Sequence, residues 1–273
     1  MSHHLLQSRE DKVVVLTLNR PDSLNSLSLQ AVKDLLDALQ ELRNDDSVRA
    51  LLITGAGRGF CTGWQLGPDE VSASPDESFG TRQSSLMAAY FNPVIQTFHD
   101  LPFPVVAAVN GPCAGAGVSI ALAADLVLAA ESAYFMLTFS PRLGLIPDLG
   151  ATWKLPRLIG WARAQAATLL GNKISAHEAA ASGMIWRCLP DASLMTEARE
   201  VAALLAKGPP GIAREVRHAY HASSTNTLAE QMEYERLRQR ALLDAEAFQE
   251  GLSAFAEKRS PDFYKNESPK TRK

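Results

Sequence analysis

The sequence predicts an α/β fold with a helical carboxy-terminal region, and three observations carry that expectation. A short β-branched run, a Gly- or Asn-bearing turn and a helical stretch recur as one unit through the amino-terminal two thirds. The runs are apolar throughout rather than alternating, as suits strands buried on both faces. Beyond about Ile185 the strand signal nearly vanishes, and Ala/Leu/Glu/Arg-rich helices continue through Ala256.

In chain order, Val13 to Asn19, Ala50 to Thr54, Val105 to Asn110 and Asp125 to Ala129 read as strands, each ending in Asn, Gly or small residues. Between the first two, Ser28 suits the N-cap of a helix through Leu35, Leu39 and Leu42, whose spacing of four and three puts the leucines on one face. Gly67 to Gly80 has Pro, Asp, Glu and Ser but few large apolar residues, and reads as an exposed loop and candidate lid. The chain divides into a core over 1–190, a helical region over 191–265 and a polar, frayed tail over 266–273. In such an α/β layer, binding groups are expected in the loops leaving the strand ends.

The 273 residues are 46% hydrophobic and 21% charged, which supports a globular chain rather than a disordered or fibrous one. A net charge of -3 and a pI near 6.1 argue against nucleic-acid binding, because such domains are usually basic along one face. No apolar run approaches the roughly 18 residues that span a bilayer, and no amino-terminal stretch has the pattern of a signal peptide. Cys61, Cys113 and Cys188 are odd in number and scattered, which fits a reducing, cytoplasmic setting with no disulfide or zinc framework.

Several motifs invite chemistry that the residues do not complete. Gly55-Ala56-Gly57-Arg58-Gly59 would need a third dinucleotide glycine where Phe60 stands, and Gly115-Ala116-Gly117 fails in the same way at Ile120. Glu215, His218 and His221 share a helical face at metal-ligand spacing, but a solvated face explains them and no metal is assigned. Gly117-Val118-Ser119-Ile120-Ala121 approaches a nucleophile elbow, with Asp148 and His177 following in hydrolase order; Ala121 replaces the final glycine. A Ser119 hydrolase therefore stays as an alternative. Two further turns, Arg58 to Trp64 and Asn110 to Gly117, present bare amides at strand ends. A pair of such donors, one at a helix amino terminus, suits an oxyanion or enolate.

Six segments in order, Asn19 to Leu27, Gly57 to Gly63, Val109 to Gly117, Asp125 to Ala129, Gly144 to Asp148 and Glu250 to Arg259, resemble the enoyl-CoA hydratase/isomerase (crotonase) family over nearly the whole chain. Phe139 to Asp148, Gly183 to Arg187 and the ending after Glu250 resemble its PaaG-type isomerases of phenylacetate degradation. The resemblance implies a crotonase-like spiral of repeated β-β-α units holding an acyl-CoA site. It also implies a carboxy-terminal region for trimer contacts and CoA closure, assembly as a homotrimer or hexamer, and no cofactor beyond the CoA moiety of the substrate. The backbone amides of Trp64 and Ala116 would hold the thioester oxygen. Asn25, Leu27, Phe60, Thr62, Gly63 and Gly115 would line the CoA and acyl groups, and Phe255 and Lys258 would hold the adenine end.

Departures from the family pattern are informative. Trp64 is bulkier than the usual residue, and Gln65 stands where Asp is common. The two positions that carry glutamates in the family's hydratases are Ser119 and Ser140. Hydration needs both a water-activating base and a proton donor, whereas moving a double bond needs one base. Asp148, after Ile146-Pro147, matches the isomerase base, and its apolar surroundings should raise its pKa. Its plain alternative is the N-cap of a helix over Leu149 to Leu158. The expectation is thus an acyl-CoA isomerase, shifting a double bond or rearranging a ring epoxide. Its rivals are a hydratase with an unusual site, a catalytically silent acyl-CoA binding protein and the Ser119 hydrolase.

Overall fold

Two sheets wound together by one repeating turn of chain carry the architecture. In the computed structural model, residues 4–65 and 77–264 are described. Most of the expected Gly67–Gly80 loop and the whole 266–273 tail lie outside the described residues. The end of that loop is helical, since Phe79 and Gly80 open a helix, α2 (Phe79–Leu86), capped by the Ser78 hydroxyl.

The larger sheet has the order β1-β2-β3-β4-β6-β9. Here β1 is Leu5–Glu10, β2 Val13–Leu18, β3 Ala50–Gly55, β4 Val105–Val109, β6 Leu126–Ala130 and β9 Arg187–Leu189. All pairs are parallel except β1 with β2, with Val13 opposite Ala50, Leu51 opposite Val105 and Val106 opposite Leu126. Every residue of β3 and β4 is buried, and both runs are apolar apart from Thr54, whose hydroxyl donates to the Ala108 carbonyl at 2.8 Å. The smaller sheet joins β5 (Cys113–Ala114), β7 (Tyr134–Met136) and β8 (Ile174–Ser175). Single bridges, Cys61 with Cys113 and Leu27 with Trp64, extend it backwards along the chain. Each turn thus places one strand in the large sheet, steps through the small one and enters a helix, which is the β-β-α spiral.

Ser28 caps α1 (Leu29–Arg43) by accepting the Ala31 amide at 3.2 Å, and the helix buries Val32, Leu35, Leu39 and Leu42 against the sheet. After the π-helical turn Met87–Phe91 comes α3 (Asn92–Asp100), and α4 (Ala116–Ala123) is buried along its whole length. The remaining helices are α5 (Phe139–Leu143), α6 (Ala151–Ile159), α7 (Trp161–Leu170), α8 (Ala176–Ala181), α9 (Leu194–Leu205), α10 (Ile212–Ser223), α11 (Leu228–Leu243) and α12 (Glu246–Glu257).

Strand boundaries differ from expectation for local reasons. Asn19 and Asp125 lie just outside β2 and β6; the Asp125 carboxylate instead accepts the Val105 amide at 2.7 Å. The edge strand β1 buries only Leu5 and so offers no apolar run to read, while β5, β7, β8 and β9 are two or three residues long. Helices take over from Ala151, earlier than Ile185, and β9 follows them to pair with β6. Arg217 fastens α10 to the core, donating to the carbonyls of His99, Leu101 and Phe103 at 2.9, 2.7 and 2.6 Å and to Asp125 at 2.7 Å. Cys61, Cys113 and Cys188 are free thiols. Among the described residues, no helix is long and apolar enough to cross a membrane.

Candidate active site

The site is assembled where the turns after β3 and β4 meet. Asn25, only 2% exposed, sits in a left-handed turn at φ 57°. Its side-chain oxygen accepts the Arg20 amide at 2.7 Å, and its NH2 donates to the carbonyls of Ala56 and Gly59 at 3.0 and 2.7 Å. Those bonds hold the 56–59 loop against the turn after β2. Gly63 adopts φ +89°, and a Cβ there would stand 2.9 Å from the Ala116 nitrogen and the Ala114 carbonyl oxygen. A missing side chain thus lets the chain entering Trp64 lie directly against the start of α4.

Among the described residues, this arrangement leaves two amides without protein partners. The Leu27 amide donates to the Gly63 carbonyl at 2.8 Å and its carbonyl accepts the Gln65 amide at 2.9 Å, so the bonds flank Trp64 and skip its own N–H. Ala116 opens α4, where first-turn N–H groups have no intrahelical acceptor and the helix dipole is positive. Among the described residues, neither the Trp64 nor the Ala116 amide is used in a hydrogen bond. The Trp64 ring packs edge-on to Phe91, centroids 4.6 Å apart, and its indole N–H is buried without a partner among the described residues. Leu27, Phe91, Ile120 and Leu149 line a small apolar cavity beside it.

Asp148 approaches from the loop after α5. Its carbonyl oxygen accepts the Ser119 hydroxyl and the Ala151 amide, each at 3.0 Å, while the Ser140 hydroxyl donates to the Leu145 carbonyl at 2.9 Å. The two serines thus moor the loop at both ends. One carboxyl oxygen of Asp148 is buried with no hydrogen-bond partner among the described residues, and burial pushes the pKa up to about 6. The N-cap reading of Asp148 is corrected: α6 begins at Ala151 and its N-cap is Gly150, without any side-chain cap. Leu149 at φ 51° and Gly150 at φ 78° turn the chain between Asp148 and the helix.

The hydrolase geometry is not formed either. Ser119 is buried and donates to a carbonyl, whereas His177 is exposed on α8 beside Glu131, 3.7 Å away. Three expected lining residues turn their side chains inward. Asn25 is committed to the backbone bonds above, Phe60 is fully buried in the core, and the Thr62 hydroxyl donates to the Ser23 carbonyl at 3.2 Å. They shape the turn rather than face a ligand. Leu27 lines the cavity, and Gly63 and Gly115 lie in the contact between the two turns. Phe255, 84% exposed, and Lys258, at the left-handed end of α12, are on a helix that packs on α11.

Sequence reasoning missed Arg20, whose guanidinium donates to the Gln65 side-chain oxygen at 2.6 Å and so braces the residue after Trp64. Its place within the Asn19 to Leu27 segment was the available signal, but an Arg in a loop reads as solvated until its partner 45 residues away is known.

A family model for enoyl-CoA hydratase/isomerase matches residues 8–266. Over 266 residues, 96% of this chain and 99% of the relative, the sequence is 42% identical to 1,2-epoxyphenylacetyl-CoA isomerase of Escherichia coli K12. It is 40% identical to a Rhodobacter capsulatus protein named "probable enoyl-CoA hydratase", across 96% and 99% of the two chains. The crystal structure of an enoyl-CoA hydratase from Polaromonas superposes with a TM-score of 0.86 at 31% identity, covering 94% of this chain and 98% of that one.

Proposed function

The chain belongs to the enoyl-CoA hydratase/isomerase family and is an enzyme of that family, and from that premise we propose that it isomerises an acyl-CoA thioester through an enolate or dienolate. The thioester oxygen accepts hydrogen bonds from the Trp64 and Ala116 amides. Two preorganised donors, one at the positive end of α4, stabilise the negative charge that develops as a proton leaves C2. The Asp148 carboxylate takes that proton and returns it at C4, or to the opened ring when the acyl group carries a ring epoxide. This proton transfer requires no group beyond the CoA moiety of the substrate.

The observation that carries the reading is the state of Asp148 beside Ser119. The carboxyl has a buried oxygen with no protein partner and a pKa of about 6, suited to a base working near neutral pH. Meanwhile the two positions that hold glutamates in the hydratases carry serines already bonded to backbone carbonyls. Relatives at 42% and 40% identity bear isomerase and hydratase names, so the choice rests on these residues rather than on overall likeness. The unpaired indole N–H of Trp64 favours an acyl group bearing an oxygen acceptor, such as a ring epoxide, over a plain linear chain. The exposed Trp161, Leu169 and Leu170 of α7 support assembly into a homotrimer or hexamer.

The test is one purified preparation offered 3-enoyl-, 2-enoyl- and ring-epoxide-CoA thioesters. Isomerisation of the first or rearrangement of the third should outrun hydration of crotonyl-CoA. Hydration that is as fast or faster overturns the isomerase reading in favour of a hydratase, and binding without turnover of any of the three points to a silent acyl-CoA binding protein.

A further inference from the structure

Away from the acyl-CoA site, the end of α3 meets the middle of α10, and three histidines and an aspartate gather there. The helical face of Glu215, His218 and His221 is divided by this contact. Glu215 is taken by Arg238 of α11 through two bonds of 2.8 Å, while the two histidines face His99 and Asp100.

We propose that this seam is a binding site for a divalent transition metal, represented by zinc, with His99, Asp100 and His218 as protein ligands and His221 alongside. One candidate ligand atom from each of the three lies within 4.8 Å of the others. The Asp100 carboxylate oxygen is 3.5 Å from His99 Nδ1 and 3.7 Å from His218 Nε2. Ligands at about 2.0–2.1 Å from a tetrahedral zinc are roughly 3.3 Å apart, so small side-chain rotations bring these atoms to coordination distance. The His99 and His218 rings are stacked, 5.1 Å apart at 19°, and His221 meets His99 edge-on at 5.2 Å and 71°, so the imidazoles must turn for their in-plane lone pairs to meet at one ion.

The backbone that carries the ligands is fixed independently of any ion. Arg217, next to His218, donates to the carbonyls of His99, Leu101 and Phe103, so α10 is locked to the segment bearing His99 and Asp100. The positive charge of Arg217 is itself paired with Asp125 at 2.7 Å, which leaves the Asp100 carboxylate to the histidines. The side chains of His99, Asp100 and His218 remain 37%, 50% and 40% exposed, so an ion can enter from solvent and retain a water in the fourth position.

Two imidazoles and one carboxylate select zinc, nickel or copper over magnesium and calcium, which prefer oxygen donors. Bound there, the ion would pin the carboxy-terminal helices to the core. This inference stands apart from the proposed acyl-CoA chemistry.

The test is titration of the chelator-stripped full-length protein with zinc by calorimetry, and with cobalt by visible absorption, comparing wild type, His99→Ala, Asp100→Asn, His218→Ala and the control His177→Ala. One zinc per chain, cobalt d–d bands of a low-coordinate site, and a melting temperature that zinc raises are expected for wild type and His177→Ala. Each seam variant should bind zinc at least about tenfold more weakly, since even outer-shell changes at metal sites cost about 10–100-fold. Asp100→Asn changes only an exposed side chain, so it decides the matter if a histidine variant fails to fold. Absence of stoichiometric zinc, weak binding of magnesium and zinc alike, or zinc affinity unchanged in Asp100→Asn and His218→Ala overturns the proposal.

Discussion

Ser119 donates its hydroxyl to the main-chain carbonyl of Asp148 at 3.0 Å, across 29 residues of sequence. At the position that the resemblance aligns with a hydratase glutamate, this chain has a hydroxyl bonded to the main chain of the loop that carries Asp148. Ser119→Ala removes the donor but leaves the Asp148 carbonyl its bond from Ala151. Stability should therefore fall by only about 1 kcal/mol, the net value of one hydrogen bond. Turnover should drop more than that loss suggests, because the loop that places Asp148 loosens. Urea unfolding and kcat on a 3-enoyl-CoA measure both quantities, and an unchanged kcat removes Ser119 as a positioning residue.

Asp148→Asn separates chemistry from folding. Since α6 is capped by Gly150 rather than Asp148, a loss of activity in this variant is not the loss of a helix cap. An amide cannot accept and return a proton near neutral pH, so turnover should fall at least about 10²-fold while acyl-CoA binding persists. Circular dichroism, ligand titration and a single-turnover assay give the three readouts. Near-normal isomerisation by the folded variant eliminates Asp148 as the base.

Particular residues mark what could be read before the structure and what could not. Ser28 and the leucines of α1 were legible because capping and helical periodicity act within a few residues. The apolar runs of β3 and β4 were legible because burial on both faces leaves no alternation. The edge strand β1 was not, since five of its six residues are not buried. At the site, the glycine turns were visible in the sequence. The free Trp64 amide was not readable from the residues alone, because it follows from Leu27 bonding to either side of it. The residues alone point to Asp148 as a helix cap and the family resemblance points to it as a base, and the left-handed Leu149 and Gly150 place it outside the helix.

Trp64→Phe keeps the backbone amide and an aromatic ring against Phe91 while deleting the unpaired indole N–H. The apo protein should be unchanged or slightly more stable, because a buried unsatisfied donor is itself costly, by about 1–3 kcal/mol. Turnover of a ring-epoxide-CoA should fall about tenfold, corresponding to one hydrogen bond of roughly 1–1.5 kcal/mol, with linear 3-enoyl-CoA little affected. Equal effects on both substrates exclude an oxygen-selecting role for Trp64.

Lys258→Ala probes CoA binding. Within one chain, Lys258 and Phe255 are exposed on a helix that packs on α11. These residues can hold the adenine end of CoA bound in this chain's own site or in a neighbouring subunit's. The variant should then raise KM for the CoA ester several-fold, by loss of a charge-assisted contact, and leave kcat nearly intact. An unchanged KM leaves Lys258 as a solvated side chain at a helix end.

The pH dependence of activity and of stability should run in opposite directions through Asp148. As base, Asp148 must be ionised, so kcat/KM should decline as pH falls below about 6, where burial places its titration. For stability the sign reverses. The folded pKa of about 6 lies above the ordinary value of 3.8, so between those two values the folded state holds a proton that the unfolded state has released. Stability therefore declines as pH rises from about 4 to about 6 and levels off above it, as linkage requires when the native state binds more protons. That contribution is fully present only below the unfolded value and disappears once the folded group ionises. Asp148→Asn, which cannot titrate, should remove this decline, so the difference between wild-type and variant unfolding free energies should change with pH across that window and nowhere else. A pH-independent difference means that the Asp148 carboxyl titrates at its ordinary value, and the acid limb of kcat/KM must then be assigned to another group.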